Sequence, residues 1–166
     1  MTDRITAFGP VAGTDARVLI LGSMPSIASL EAGFYYGHPR NAFWRILAEI
    51  YGGPPPETVP EKTALLEEHC IALWDVLASC ERAGSLDSAI RKPEANDFSG
   101  LFGRCPGIRG ILFNGATAQG LFMKHCATFL TGREWARLPS TSPAYTLSYE
   151  RKLAQWRQAL MKYESV

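Results

Sequence analysis

The chain has 166 residues, 46% hydrophobic and 20% charged, which suits one globular domain with a single core and argues against disorder. The apolar runs fall short of the ~18 residues of a membrane span, and the start lacks a basic stretch followed by an apolar one, so the expectation is a cytoplasmic protein away from membranes. The net charge of +1 hides an asymmetry: residues 1–81 carry five cations against ten anions, and residues 82–166 carry twelve against six. Twelve of the seventeen cations are arginine, which permits either a phosphate-binding face in the second half or an ion-paired surface.

In chain order, Arg17-Val-Leu-Ile-Leu21 predicts a strand buried on both faces, ending in Gly22-Ser23. A loop rich in Gly, Pro and Ser follows to about Arg40, then a helix over Asn41–Ile50, closed by Gly52-Gly53-Pro54. Pro60 and Glu61 open a second helix, and Ile71–Val76 reads as a second buried strand. Ser79 to Gly107 reads as polar turns with a short helix near Phe98–Phe102. Gly110–Asn114 is a third strand, leading into a helix over Ala116–Lys124, and a weaker strand approaches Leu138. A final helix, about Leu147 to Tyr163, carries an apolar stripe of Tyr149, Leu153, Trp156, Leu160 and Tyr163. Strands alternating with helices predict a doubly wound α/β domain with its site at the carboxyl ends of the strands.

Cys70, Cys80, Cys105 and Cys126 are scattered without a C-x-x-C pair, so free thiols are expected rather than a metal site or a disulfide framework. G-x-G-x-x-G and G-x-x-x-x-G-K-[ST] are both absent. Three stretches carry unusual chemistry. Gly22-Ser-Met-Pro-Ser26 brings backbone close to a ligand through its glycine. Phe34-Tyr-Tyr-Gly-His-Pro-Arg-Asn41 puts aromatic rings in a loop, where one can stack on a flat base. Asn41 suits either water-holding or a helix N-cap. Leu138-Pro-Ser-Thr-Ser-Pro-Ala144 offers hydroxyls that suit phosphate oxygens or a plain surface turn.

In order and separation these stretches resemble the uracil-DNA glycosylase superfamily, and within it the hypoxanthine-DNA glycosylase branch, from about Val18 to Leu160. The resemblance implies a three-layer α/β/α sandwich around a short, mainly parallel four-stranded sheet. It implies hydrolysis of the N-glycosidic bond of a flipped deaminated base, hypoxanthine before xanthine or uracil, without metal or other cofactor. The partner would be double-stranded DNA with a damaged base, bound by a monomer. Asn41 would orient the water. Gly22, Ser23, Met24, Tyr35 or Tyr36, Asp75 and Asn114 would meet the base. Pro25, Ser26, Ser140, Thr141, Ser142 and Pro143 would hold the DNA. Met24 stands where uracil-directed members have Asp or Asn, and Leu138 where they have His. A nucleoside hydrolase, a uracil- or mismatch-directed glycosylase and a non-catalytic nucleic-acid-binding domain are the competing readings.

Overall fold

A computed structural model describes residues 3–164. The first strands are β1 (Arg4–Thr6) and β2 (Val18–Gly22), followed by the helices α1 (Ile27–Ala32), α2 (Phe43–Tyr51) and α3 (Val59–Glu68). Next come β3 (Ile71–Asp75), β4 (Leu77–Glu81), β5 (Arg91–Ala95) and α4 (Phe98–Arg104). The chain continues through β6 (Gly110–Asn114), α5 (Ala116–Cys126), β7 (Glu134–Leu138) and α6 (Tyr149–Met161).

The main sheet has the order β3-β2-β6-β7, and all its pairings are parallel. β2 and β3 are buried along their whole length, which is why both read as continuous apolar runs rather than alternating ones. The register aligns Leu21 with Trp74 and with Phe113, so these three share one face. On that face Trp74 and Phe113 meet Phe98 of α4 and Phe122 of α5 in edge-on and tilted aromatic contacts. Gly110 and Leu112 point to the other face. There the Tyr163 ring, just past α6, lies against Gly110, and Trp156 of α6 meets Phe43 of α2. Helices thus cover both faces of the sheet, as expected for an α/β/α sandwich.

From β2 the chain moves outward to β3 on one side and later returns to β6 on the other. The carboxyl ends of β2 and β6 therefore flank a topological switch point, where α/β sheets leave a crevice for ligands.

The segment 79–107 corrects the expectation of polar turns. β4 continues from β3 after Val76 and joins β1 and β5 in a second, antiparallel sheet of order β1-β4-β5. Charged side chains conceal these strands: Arg4 lies 3.9 Å from Glu81 and 3.5 Å from Glu94, and Lys92 lies 3.4 Å from Glu81. The loop before Arg40 contains α1, capped by Ser26, whose hydroxyl accepts from the Ser29 N–H at 3.1 Å. Among the described residues no helix is long and apolar enough to cross a membrane. All four cysteines are free; Cys70 is half-buried and the other three are buried.

Candidate active site

The carboxyl ends of β2, β3 and β6 and the loop after β7 converge on a cleft of about 120 Å³. It is lined by Gly22, Ser23, Met24, Pro25 and Ser26, by Tyr35, Tyr36 and Asn41, and by Asp75, Asn114, Ser140, Thr141 and Ser142. Of the residues given a site role from the sequence, only Pro143 lies outside it, exposed on the same loop as Ser142. The cleft adjoins a wider groove of about 610 Å³ that shares Asp87, Asn114, Ser140 and Ser142 and runs past Arg137 and Tyr145.

The floor is built at the point where the chain leaves the parallel sheet. Val76 N–H donates to Gly22 C=O, and the Asn96 side chain donates to the Asp75 carbonyl, each at 2.8 Å. The backbone of this corner is therefore satisfied, while the Asp75 side chain is not. Asp75 is 3% exposed, and its Oδ2 has no hydrogen-bond partner among the described residues. Burial raises its pKa to about 7, with a further push from Asp87 and an opposing pull from Arg82. Gly22 makes room for this carboxyl. A Cβ there would stand 2.6 Å from Asp75 Oδ1 and 2.9 Å from the Tyr36 hydroxyl.

The two tyrosines differ. Tyr35 is 2% exposed and has its ring edge-on to Phe8 and Phe34, its hydroxyl donating to Gly9 C=O and its own carbonyl accepting from Trp44 Nε1. It is part of the core wall. Tyr36 is half-buried, holds the left-handed conformation at φ 55°, and stacks on Phe43 with ring centroids 4.2 Å apart. Its hydroxyl is buried beside the Asn114 side chain without a well-formed hydrogen bond among the described residues; burial and then Asp75 raise its pKa, and Asn114 pulls the other way. An aromatic residue at positive φ is strained, and strain of this kind gathers at functional sites.

Asn41 sits one residue outside the N-cap position of α2, which Ala42 occupies without a capping side chain. The Asn41 Oδ1 accepts from Phe43 N–H at 3.0 Å, fixing the start of α2, and the side chain also lines the cleft. The helix itself begins at Phe43, two residues later than the sequence suggested, because the Asn41 side chain bridges forward to that N–H.

The third motif needs correction. Thr141 is 1% exposed, its N–H donates to Asn114 Oδ1 at 2.9 Å, and its hydroxyl accepts from Asn114 Nδ2 at 3.0 Å. Its carbonyl accepts from Ala42 N–H. Thr141 is thus a buried lock between β6, the 140s loop and the start of α2, and its burial, not the bond from Asn114, keeps its hydroxyl from phosphate. Ser140 and Ser142 remain half-buried at the cleft, and Lys152 of α6 donates to the Ser142 carbonyl at 3.0 Å.

Sequence reasoning missed Ser29, Asp87 and Arg82. Asp87 accepts from the Ser23 hydroxyl at 2.8 Å and so ties the segment after β4 to the first motif. Arg82 is 3% exposed and donates to Gly84 C=O and Pro25 C=O. No spacing rule connects residues 82–87 to the Gly22 motif; only the fold does.

A parallel α/β sheet with a cleft the size of one heterocyclic ring system at its switch point, furnished with amide, carboxyl and stacked aromatic groups, defines a base-binding class of protein. The chain belongs to the uracil DNA glycosylase superfamily, whose family profile matches residues 9–163. It is 42% identical over 112 residues to a hypoxanthine DNA glycosylase of Methanosarcina acetivorans, covering 67% of this chain and 71% of that one. It is 38% identical over 109 residues to the hypoxanthine DNA glycosylase of Methanosarcina barkeri, covering 65% and 69%. The solution NMR structure of a Methanosarcina acetivorans protein proposed to be a uracil DNA glycosylase superimposes with a TM-score of 0.83 at 34% identity, over 98% of this chain and 100% of that one.

Proposed function

We propose that this protein is a monofunctional DNA glycosylase that releases hypoxanthine from duplex DNA, acting as a monomer through one domain. The observation that carries the reading is the cleft itself: in a member of this superfamily, Asp75 Oδ2 and the Tyr36 hydroxyl are buried without partners beside Asn41. Buried polar groups are costly unless paired, so their partners are expected to arrive with the substrate. The hypoxanthine-directed names of the two Methanosarcina relatives support the choice of base.

In this reading the flipped base enters against Tyr36, already backed by Phe43, and its polar edge faces Asp75 and the backbone of Gly22–Met24. Asn41 orients the attacking water, with one lone pair of Oδ1 engaged by Phe43 and the other free to accept from water. A neutral amide positions water rather than deprotonating it. Met24 adds no acid, so bond breaking leads and the departing base is stabilised by donors around it. Ser23, Pro25 and Ser26 on one side, and Ser140, Ser142 and Pro143 on the other, border the opening where the DNA backbone would run.

A panel of duplex oligonucleotides, each with one altered base, tests this by alkaline cleavage after incubation with the protein. Hypoxanthine opposite thymine or cytosine is expected to be released faster than uracil opposite guanine. Faster release of uracil would overturn the choice of base, and retention of every base would overturn the glycosylase reading.

A further inference from the structure

We infer that the Asp75 carboxyl is the acid that protonates the departing purine, an assignment that rests on the glycosylase reading and adds a proton source to it.

Three geometric observations carry the inference. Asp75 lines the base cleft, and its Oδ2 is buried with no partner among the described residues. Gly22 leaves the space beside Oδ1 free of a side chain. Among the described residues that line the cleft there is no histidine, lysine or arginine, and the other carboxyl, Asp87, is exposed and already accepts from Ser23.

The charged and titratable groups facing Asp75 are Tyr35 and Tyr36 from the loop after α1, Asp87 from the turn before β5, and Arg82 just after β4. Burial and Asp87 outweigh Arg82, so the carboxyl keeps its proton up to about pH 7.

As the bond between C1′ and N9 breaks, its electron pair passes to the purine, and the Asp75 proton moves to a purine ring nitrogen such as N7. The base leaves neutral and Asp75 is left as a carboxylate. The water held by Asn41 bonds to C1′ and releases its proton to solvent, and a solvent proton restores Asp75. The sum is hydrolysis of one N-glycosidic bond by one water.

The test is the pH profile of single-turnover hypoxanthine release, from about pH 5 to about pH 9, for the wild type, Asp75→Asn and Asp87→Asn. The wild-type rate is expected to fall above about pH 7, approaching a tenfold loss per pH unit. Asp75→Asn is expected to be at least about 100-fold slower at pH 6 and flat with pH. Asp87→Asn, an exposed change that leaves the core intact, is expected to move the wild-type fall to lower pH because a like charge has been removed. A wild-type rate that is flat or rises with pH would overturn the acid role, as would an Asp75→Asn variant that keeps the wild-type fall. A wild type that releases no base is a separate outcome, in which the glycosylase reading fails and the acid role with it.

Discussion

Two pairs of polar residues line the cleft and treat their hydrogen-bonding capacity in opposite ways. On the side of β6 and the 140s loop, Asn114 and Thr141 are joined by two reciprocal hydrogen bonds, and the Thr141 carbonyl is engaged as well. On the side of β2 and β3, Asp75 Oδ2 and the Tyr36 hydroxyl are just as deeply buried and have no partner among the described residues. The satisfied pair tolerates its burial and holds two loops in place; the unsatisfied pair costs stability in the empty protein. In the proposed reading the satisfied pair is scaffold and the unsatisfied pair is binding surface.

The largest effect is expected at Gly22, where the unsatisfied pair closes in on the backbone. In Gly22→Ala the new Cβ would lie within 3 Å of both Asp75 Oδ1 and the Tyr36 hydroxyl, so one of them must move. Single-turnover release of hypoxanthine should drop by about 1,000-fold, since small misplacements of reacting groups cost about 100-fold or more. A rate within about tenfold of wild type would mean that the position of these groups does not matter.

Asn41→Ala comes next. The loss of its bond to Phe43 N–H should cost about 1 kcal/mol of stability, read from denaturant unfolding. The loss of water positioning should slow release by about 100-fold. Near-normal release with lowered stability would reduce Asn41 to a helix cap.

The smallest effect is expected at the rim. Ser142 is half-buried between the cleft and the wider groove, so Ser142→Glu places a negative charge where phosphates would pass. Titration at fixed salt against two different lesions should show about tenfold weaker binding to both, because backbone contacts carry little base information. A loss confined to one lesion would move Ser142 into the base pocket.

Much of this arrangement was legible in the chain. The apolar runs Val18–Leu21, Ile71–Trp74 and Ile111–Phe113 announce strands buried on both faces, and the polar residues that end them, Gly22, Asp75 and Asn114, meet as that topology requires. The antiparallel sheet was not legible, because Arg4-Ile-Thr6 and Arg91-Lys-Pro-Glu-Ala95 pair with β4 through their backbones, bury little and show charges where a strand pattern would be apolar. The burial of Thr141 is hidden for a related reason: in a loop of Ser, Thr and Pro its hydroxyl looks like surface, and only Asn114, distant in sequence, draws it inside. Asp87 reaches the cleft through a strand pairing that leaves no periodic mark.

The contrast between the two pairs is tested most directly by comparing Asp75→Asn with Thr141→Val at pH 8, each measured for unfolding free energy and for hypoxanthine release. The folded-state pKa of Asp75 is raised to about 7 from the usual 3.8, so between those values the folded protein binds the extra proton and its stability falls as pH rises. Asparagine does not titrate, so by pH 8 Asp75→Asn should be more stable than wild type, by up to about 4 kcal/mol, while releasing base at least about tenfold more slowly. Thr141→Val leaves part of Asn114 unpaired and should lose about 1–3 kcal/mol while keeping release by the folded protein within about tenfold of wild type. The opposite pattern, with Asp75→Asn destabilised but active and Thr141→Val stable but inactive, would contradict the assignment of binding surface and scaffold.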